Sequence, residues 1–255
     1  MPDGLVLRRD EGPVAHLTLN DPAKANALSA AMIEALCSAL ARAQTDRGVR
    51  VIVLGAAGKI FCAGHDLAEL RASDEEAAHR RLFGRCSALM LAIAAAPKPV
   101  IARVQGAAVA AGCQLVASCD LAYAAEGARF AVSGIDLGLF CSTPSVALSR
   151  TVGARAALEM LLTGRFIDAA EAAAIGLINR AVPAAELDQA VDAAAGAIAA
   201  KAPEAIALGK DLFRRQIRMA LDEAYDLAGE RMAANMALDC AREGIDAFLQ
   251  RRRAS

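Results

Sequence analysis

The sequence predicts an α/β fold over residues 1–200, followed by a helical region over residues 201–255. Three observations carry this expectation. The continuous apolar run at 51–54 reads as a strand buried on both faces, and Val100-Ile101-Ala102-Arg103-Val104 as the next buried strand. Helical periodicity alternates with those runs, which predicts βαβ connections of right-handed crossover. From residue 144 onward the apolar spacing is almost wholly helical.

The elements follow in order. Residues 5–9 and 14–19 read as two strands around the turn-forming Asp10-Glu11-Gly12-Pro13. After a loop at 20–28, Ser29 is placed to cap a helix whose Met32, Ile33, Leu36 and Leu40 share one face. A small-residue segment at 55–71 precedes a helix opened by Ser73-Asp74-Glu75-Glu76, with acids in its first turn, and stopped by Pro97 and Pro99. Beyond the strand at 100–104, Gln105-Gly106 predicts a turn, and a helix begins at Ala110 or Ala111. Residues 121–124 and 129–131 continue the strands. Helices are expected at 155–162, 169–174, 186–201, 204–216, 221–236 and 239–249, interrupted by a strand-like 177–182. No internal repeat is visible.

Composition narrows the function. Hydrophobic residues make up 56% of the 255 residues, but charges recur throughout, and no apolar stretch approaches the roughly 20 residues of a membrane span. A net charge of -1 gives no electrostatic reason to expect nucleic acid. The three histidines, His16, His65 and His79, share no metal-ligand spacing with one another or with the cysteines, so no metal is expected. Seven cysteines without a Cys-x-x-Cys pair fit reduced, buried thiols, and no secretory signal opens the chain. A cytoplasmic protein is the expectation.

Two segments stand where chemistry is expected. Phe61-Cys62-Ala63-Gly64-His65-Asp66-Leu67 follows a buried strand, and its small residues allow backbone to approach a ligand. Gly106-Ala107-Ala108-Val109-Ala110-Ala111-Gly112-Cys113-Gln114-Leu115 leads into a helix start, whose unpaired N–H groups favour an anionic oxygen. In this order and after successive strands, the two segments resemble the signature segments of the enoyl-CoA hydratase/isomerase (crotonase) family. Supporting matches are Lys24-Ala25-Asn26-Ala27-Leu28, Ser118-Cys119-Asp120-Leu121-Ala122, Leu161-Leu162-Thr163-Gly164 and Glu243-Gly244-Ile245-Asp246-Ala247-Phe248-Leu249, so the likeness spans nearly the whole chain.

The resemblance implies a spiral of ββα units with a C-terminal helical trimerisation region, assembled as a homotrimer or a dimer of trimers. It implies an acyl-CoA thioester as partner, with coenzyme A carried by the substrate and no separate cofactor. The thioester oxygen would accept hydrogen bonds from the backbone N–H groups of His65 and Ala111, one such donor being typically worth about 3–4 kcal/mol in a transition state. Lys24, Ala25, Ala27, Ala63, His65, Asp66 and Leu67 match the segments around coenzyme A, and Phe248 and Arg251 are candidates for its adenine and phosphate end.

The chain departs from the family where water would be activated. The family's hydratases use two glutamates, and the matching positions here are Gln114 and Gly134. A glutamine orients water without taking its proton, and a glycine contributes only space. Hydration of a 2-enoyl-CoA is therefore the nominal activity. The alternatives are acyl-CoA binding without hydratase turnover, or a different oxyanion-stabilised reaction such as hydrolysis. Asp136 would share Gly134's face if that segment were a strand, and it equally suits a turn. Cys141 aligns with the nucleophilic aspartate of a related acyl-CoA dehalogenase, although an apolar setting makes a thiol inert. The His65 imidazole has a pKa suited to proton transfer. Glutamate restored at both 114 and 134 is expected to create or raise hydration.

Overall fold

Two antiparallel strands, β1 (Val6–Glu11) and β2 (Val14–Leu19), open the fold, and the turn between them falls at Gly12 and Pro13. The computed structural model describes residues 4–254. Ser29 caps α1 (Ala30–Thr45) by accepting the Met32 N–H at 3.1 Å, and Met32, Ile33, Leu36 and Leu40 are buried beneath it.

Three strand–strand–helix units follow. The first is β3 (Val51–Ala56), β4 (Ile60–Cys62), a short α2 (Leu67–Arg71) and the long α3 (Glu76–Ala95). The second is β5 (Val100–Val104), β6 (Ala107–Val109) and α4 (Ala111–Ser118). The third is β7 (Leu121–Ala125), β8 (Arg129–Ala131), a 3-10 segment at Ser133–Leu137 and α5 (Ser142–Thr151). Then come α6 (Ala154–Thr163), β9 (Ile167–Asp168), α7 (Ala169–Ala174), β10 (Arg180–Val182) and α8 (Leu187–Ala199).

Each unit adds one strand to each of two sheets. The larger sheet runs β1-β2-β3-β5-β7-β10 and the smaller runs β4-β6-β8-β9. Within the larger sheet every pair after β1/β2 is parallel, and in the smaller only β8/β9 is antiparallel. A chain that turns a corner between its two strands and returns through a helix advances as a spiral. The family resemblance implied this spiral, while the residue pattern by itself showed neither the repeat nor the strands β4, β6 and β9. Strands of two or three residues carry too little periodicity, and the three helices of the units differ in length.

The core is built from the fully buried β3 and from large side chains such as Phe61, Phe130, Leu36 and Leu89. The chain divides into two compact units, Met1–Ile198 and Ala199–Ser255. In the second, α9 (Pro203–Gln216) packs on α10 (Leu221–Met236), and α10 on α11 (Asp239–Ala254). Among the described residues no helix is long and apolar enough to cross a membrane, and no group of three or more acidic, His or Cys side chains is placed to hold a metal.

Candidate functional site

The pairing of β4 with β6 brings the two glycine-bearing segments together, Ile60 beside Ala107 and Cys62 beside Ala108. Gly64 completes the approach. Its φ is +98°, and a Cβ there would stand 3.1 Å from both the Ala110 Cβ and the Val109 carbonyl oxygen, and 3.5 Å from the Ala111 nitrogen. Only a glycine lets the two strands' ends touch in this conformation.

Two backbone N–H groups are left for a ligand. Ala111 is the first residue of α4, so its N–H has no acceptor within the helix. The His65 N–H likewise meets no acceptor among the described residues. Ala110, just before the helix, has φ 49° and ψ -114°, a conformation that costs a residue with a Cβ about 1–3 kcal/mol. It is held there by its N–H donating to the Ala131 carbonyl at 2.8 Å and by its own carbonyl accepting from the Gln114 N–H at 3.0 Å.

The loop 20–28 is fastened beside this pair. Asn26 is fully buried; its amide donates to the Ala57 and Ile60 carbonyls at 2.9 and 2.8 Å, and its oxygen accepts the Asp21 N–H. The Ala63 N–H donates to the Ala25 carbonyl at 3.0 Å, and the Leu28 N–H to the Gly64 carbonyl at 2.7 Å. Ala25 and Asn26 both have positive φ, which asparagine tolerates well. Ala27 is buried. Lys24, largely exposed, reaches Asp66 at 3.4 Å.

Asp66 is the N-cap of α2, accepting from the Ala68 and Glu69 N–H groups at 3.0 and 3.3 Å. The Glu69 N–H, with the Ala68 N–H and Lys24, holds its carboxyl below the usual aspartate range. Ala63 and Leu67 are exposed beside it. The His65 ring donates from Nδ1 to the Leu28 carbonyl oxygen at 3.2 Å and packs edgewise on Phe83 with centroids 5.3 Å apart. Burial pushes its pKa below the ordinary histidine value, so the ring is neutral at neutral pH; the Leu28 carbonyl and the Glu69 charge oppose the shift.

Gln114 lies one helical turn beyond Ala111 and is buried, with its side-chain oxygen unpartnered among the described residues. Gly134 is not a vacancy. A Cβ there would stand 2.5 Å from the Leu139 carbonyl oxygen and 2.8 Å from Cys141 Sγ, so the chain and the thiol already fill the space. Cys141 Sγ accepts the Gly134 N–H at 3.3 Å, and burial raises its thiol pKa above the ordinary value, which keeps it protonated. The strand that would have put Asp136 on Gly134's face is not formed, and the turn that the sequence also allowed is present. The segment is a 3-10 turn, in which alternate residues diverge, and the exposed Asp136 has its carboxylate against Gly164.

Phe248 and Arg251 are exposed on α11 of the second unit, one helical turn apart and so on one face. Three residues that the sequence reading did not assign to the site now matter: Asn26, Phe83 and Ala110. The asparagine between two alanines carried a signal, since it favours left-handed backbone. Phe83 carried none, because at helical spacing an aromatic reads as core.

Spiralled ββα units with one free N–H after the first unit's second strand and another at the start of the second unit's helix define the crotonase class of fold. The Enoyl-CoA hydratase/isomerase family model matches residues 9–255. Enoyl-CoA hydratase domain-containing protein 3, mitochondrial, of Rattus norvegicus is 42% identical over 249 residues, 98% of this chain and 83% of the relative. The crystal structure of enoyl-CoA hydratase from Mycobacterium smegmatis superimposes with a TM-score of 0.95 at 54% identity, covering 98% of this chain and 97% of that one. The human enoyl Coenzyme A hydratase domain-containing protein 3 gives a TM-score of 0.94 at 42% identity, over 97% and 98% of the two chains. The chain belongs to the enoyl-CoA hydratase/isomerase family.

Proposed function

We propose that the protein binds an acyl-CoA thioester with its carbonyl oxygen between the His65 and Ala111 N–H groups, and that it is not an efficient two-carboxylate hydratase. The observation that carries this reading is the contrast within one site. Two N–H donors are free, while neither glutamate position holds a carboxylate, and at Gly134 the Leu139 carbonyl leaves no room for a side chain. The reactions left to such a site stabilise negative charge on a thioester oxygen without the family's paired glutamates.

Coenzyme A enters as part of the substrate, and Lys24 with the 63–67 segment supplies its nearest protein surface. Phe248 and Arg251 remain the candidates for the far end of coenzyme A. A homotrimer or dimer of trimers is supported by apolar side chains left exposed on the second unit, Phe213, Leu221, Tyr225 and Met232 among them. Cysteines that are free throughout support a reducing compartment such as the cytoplasm.

The test is crotonyl-CoA hydration at high protein concentration with calorimetric binding of the same thioester. Binding with little or no hydration is expected. Rapid hydration would show that Gln114 and its neighbours replace the two glutamates, and the reading would fall.

A further inference from the structure

The segment that carries the His65 N–H runs parallel to residues 25–30, and the two are cross-linked along their length. The Ala63 N–H donates to the Ala25 carbonyl, the Leu28 N–H to the Gly64 carbonyl, and the His65 ring from Nδ1 to the Leu28 carbonyl. One further link lies beyond His65. The Glu69 carboxylate accepts the Ala30 N–H at 2.9 Å. Ala30 opens α1, where that N–H has no acceptor within the helix and the Ser29 hydroxyl oxygen serves Met32 instead. The acid of α2 therefore meets an orphan donor at the positive end of the α1 dipole.

α2 depends on such links. Its five residues make little more than one turn, too short to be stable alone, and none of them is buried, although Leu70 packs in part against the core. Polar contacts hold its ends: Asp66 caps the first turn, and His79 Nε2 donates to the Leu70 carbonyl at 2.9 Å. Two contacts cross to the neighbouring segment. Lys24 reaches Asp66 at 3.4 Å from a largely exposed side chain, a kind of pair that contributes little. Glu69 makes a shorter, charge-assisted bond, the stronger kind, and makes it to a fixed support, since Met32, Ile33, Leu36 and Leu40 bury α1 in the core.

We infer that Glu69 is a positioning residue for the carbonyl site: closed on the α1 N-terminus, it holds the chain from Gly64 to Leu67 so that the His65 N–H stays directed at the ligand oxygen. This rests on the thioester carbonyl being held by the His65 and Ala111 N–H groups. A hydrogen bond weakens steeply as its angle closes, so a modest rotation of the His65 peptide forfeits that donor. Gly64, immediately before it, has no side chain to resist the rotation. The Ala111 N–H is independent of Glu69, being fixed by α4 and by the bond from the Ala110 N–H to the Ala131 carbonyl. Release of Glu69 thus removes one of the two donors and leaves the other.

The experiment measures, by calorimetry, the binding of butyryl-CoA and of S-butyl-CoA, the thioether without the carbonyl oxygen, to the wild type and to Glu69 variants. The ratio of the two affinities reports the hydrogen bonds of the carbonyl, whereas a variant that only loosens the fold weakens both ligands alike. The wild type is expected to favour the thioester about tenfold. Glu69→Ala should reduce the ratio to about threefold, the loss of one of two modest hydrogen bonds. Glu69→Gln keeps an acceptor of the same reach for the Ala30 N–H and should hold most of the wild-type ratio. Glu69→Asp, one methylene shorter, takes the place of the alanine variant if that one does not fold. A ratio still near tenfold in Glu69→Ala, or one reduced as far in Glu69→Gln as in Glu69→Ala, overturns the inference and leaves the thioester site standing. A wild type that does not distinguish the two ligands overturns the carbonyl site itself.

Discussion

Asn26 shows how far one buried side chain determines this site. Two of its hydrogen bonds tie the loop 20–28 to the end of β3 and the start of β4, and the third, from the Asp21 N–H, closes the loop on itself. Asn26→Ala strands the Ala57 carbonyl and the Asp21 N–H and leaves the Ile60 carbonyl only its long bond from Gln105, and is expected to cost about 2–4 kcal/mol in urea unfolding. Gly64→Ala places a Cβ against Ala110 at a φ of +98°, so it should cost about 2–3 kcal/mol and weaken thioester binding as well. Ala110→Gly runs the other way. Relief of its positive φ is expected to raise stability by about 1 kcal/mol in the same measurement. The structure also revises what restored acids would do. Gln114→Glu fits the existing side-chain volume, but Gly134→Glu collides with the Leu139 backbone, so the double variant should lose stability and gain no hydration in a crotonyl-CoA assay. The sequence showed that position 134 lacked an acid. It did not show that the Leu139 carbonyl and the Cys141 thiol had closed over it, because residues five and seven positions away are joined there by a turn with no periodic signature.

At the level of elements, what the sequence revealed followed the length of the signal. Residues 221–236 and 169–174 form helices over the predicted spans, and Ser29 caps α1, because helical spacing and a capping hydroxyl are local features. The second strands of the first two units escaped notice, whereas β8 of the third was expected at 129–131. β4 and β6 have three residues each and are defined by pairing with one another, a long-range contact. The same limit hid the 3-10 turn under Asp136. α2 offers a prediction at this scale. Asp66 caps it, and the Glu69 and Ala68 N–H groups with Lys24 depress its pKa in the folded state. A depressed carboxylate contributes stability that is present above its unfolded value, about 3.9, and lost as pH falls through the lower folded value. Urea unfolding of wild type and Asp66→Asn should therefore differ most near neutral pH and converge in acid below about pH 4. A difference unchanged across that range would show that the Asp66 charge contributes nothing.

For the whole molecule, the likeness to enoyl-CoA hydratase/isomerase relatives extends over both units, since the family model covers residues 9–255. The family fold is present, and the positions that the resemblance pairs with the glutamates of hydration carry Gln114 and Gly134, which is why the proposed function separates binding from that chemistry. Assembly belongs to this scale too. Apolar residues such as Leu221 and Tyr225, more than 70% exposed in the single chain, are expected to be covered by further copies, and light scattering should give the mass of three or six chains. A monomer at micromolar concentration would contradict that. The central claim is that the His65 and Ala111 N–H groups hold a thioester carbonyl, and it is tested most directly by calorimetry with butyryl-CoA and its thioether analogue, S-butyl-CoA, which lacks only the carbonyl oxygen. The thioester should bind about tenfold more tightly, the contribution of two modest hydrogen bonds, and Gly64→Ala should erase the difference. Equal affinity for the two ligands in the wild type would contradict the claim.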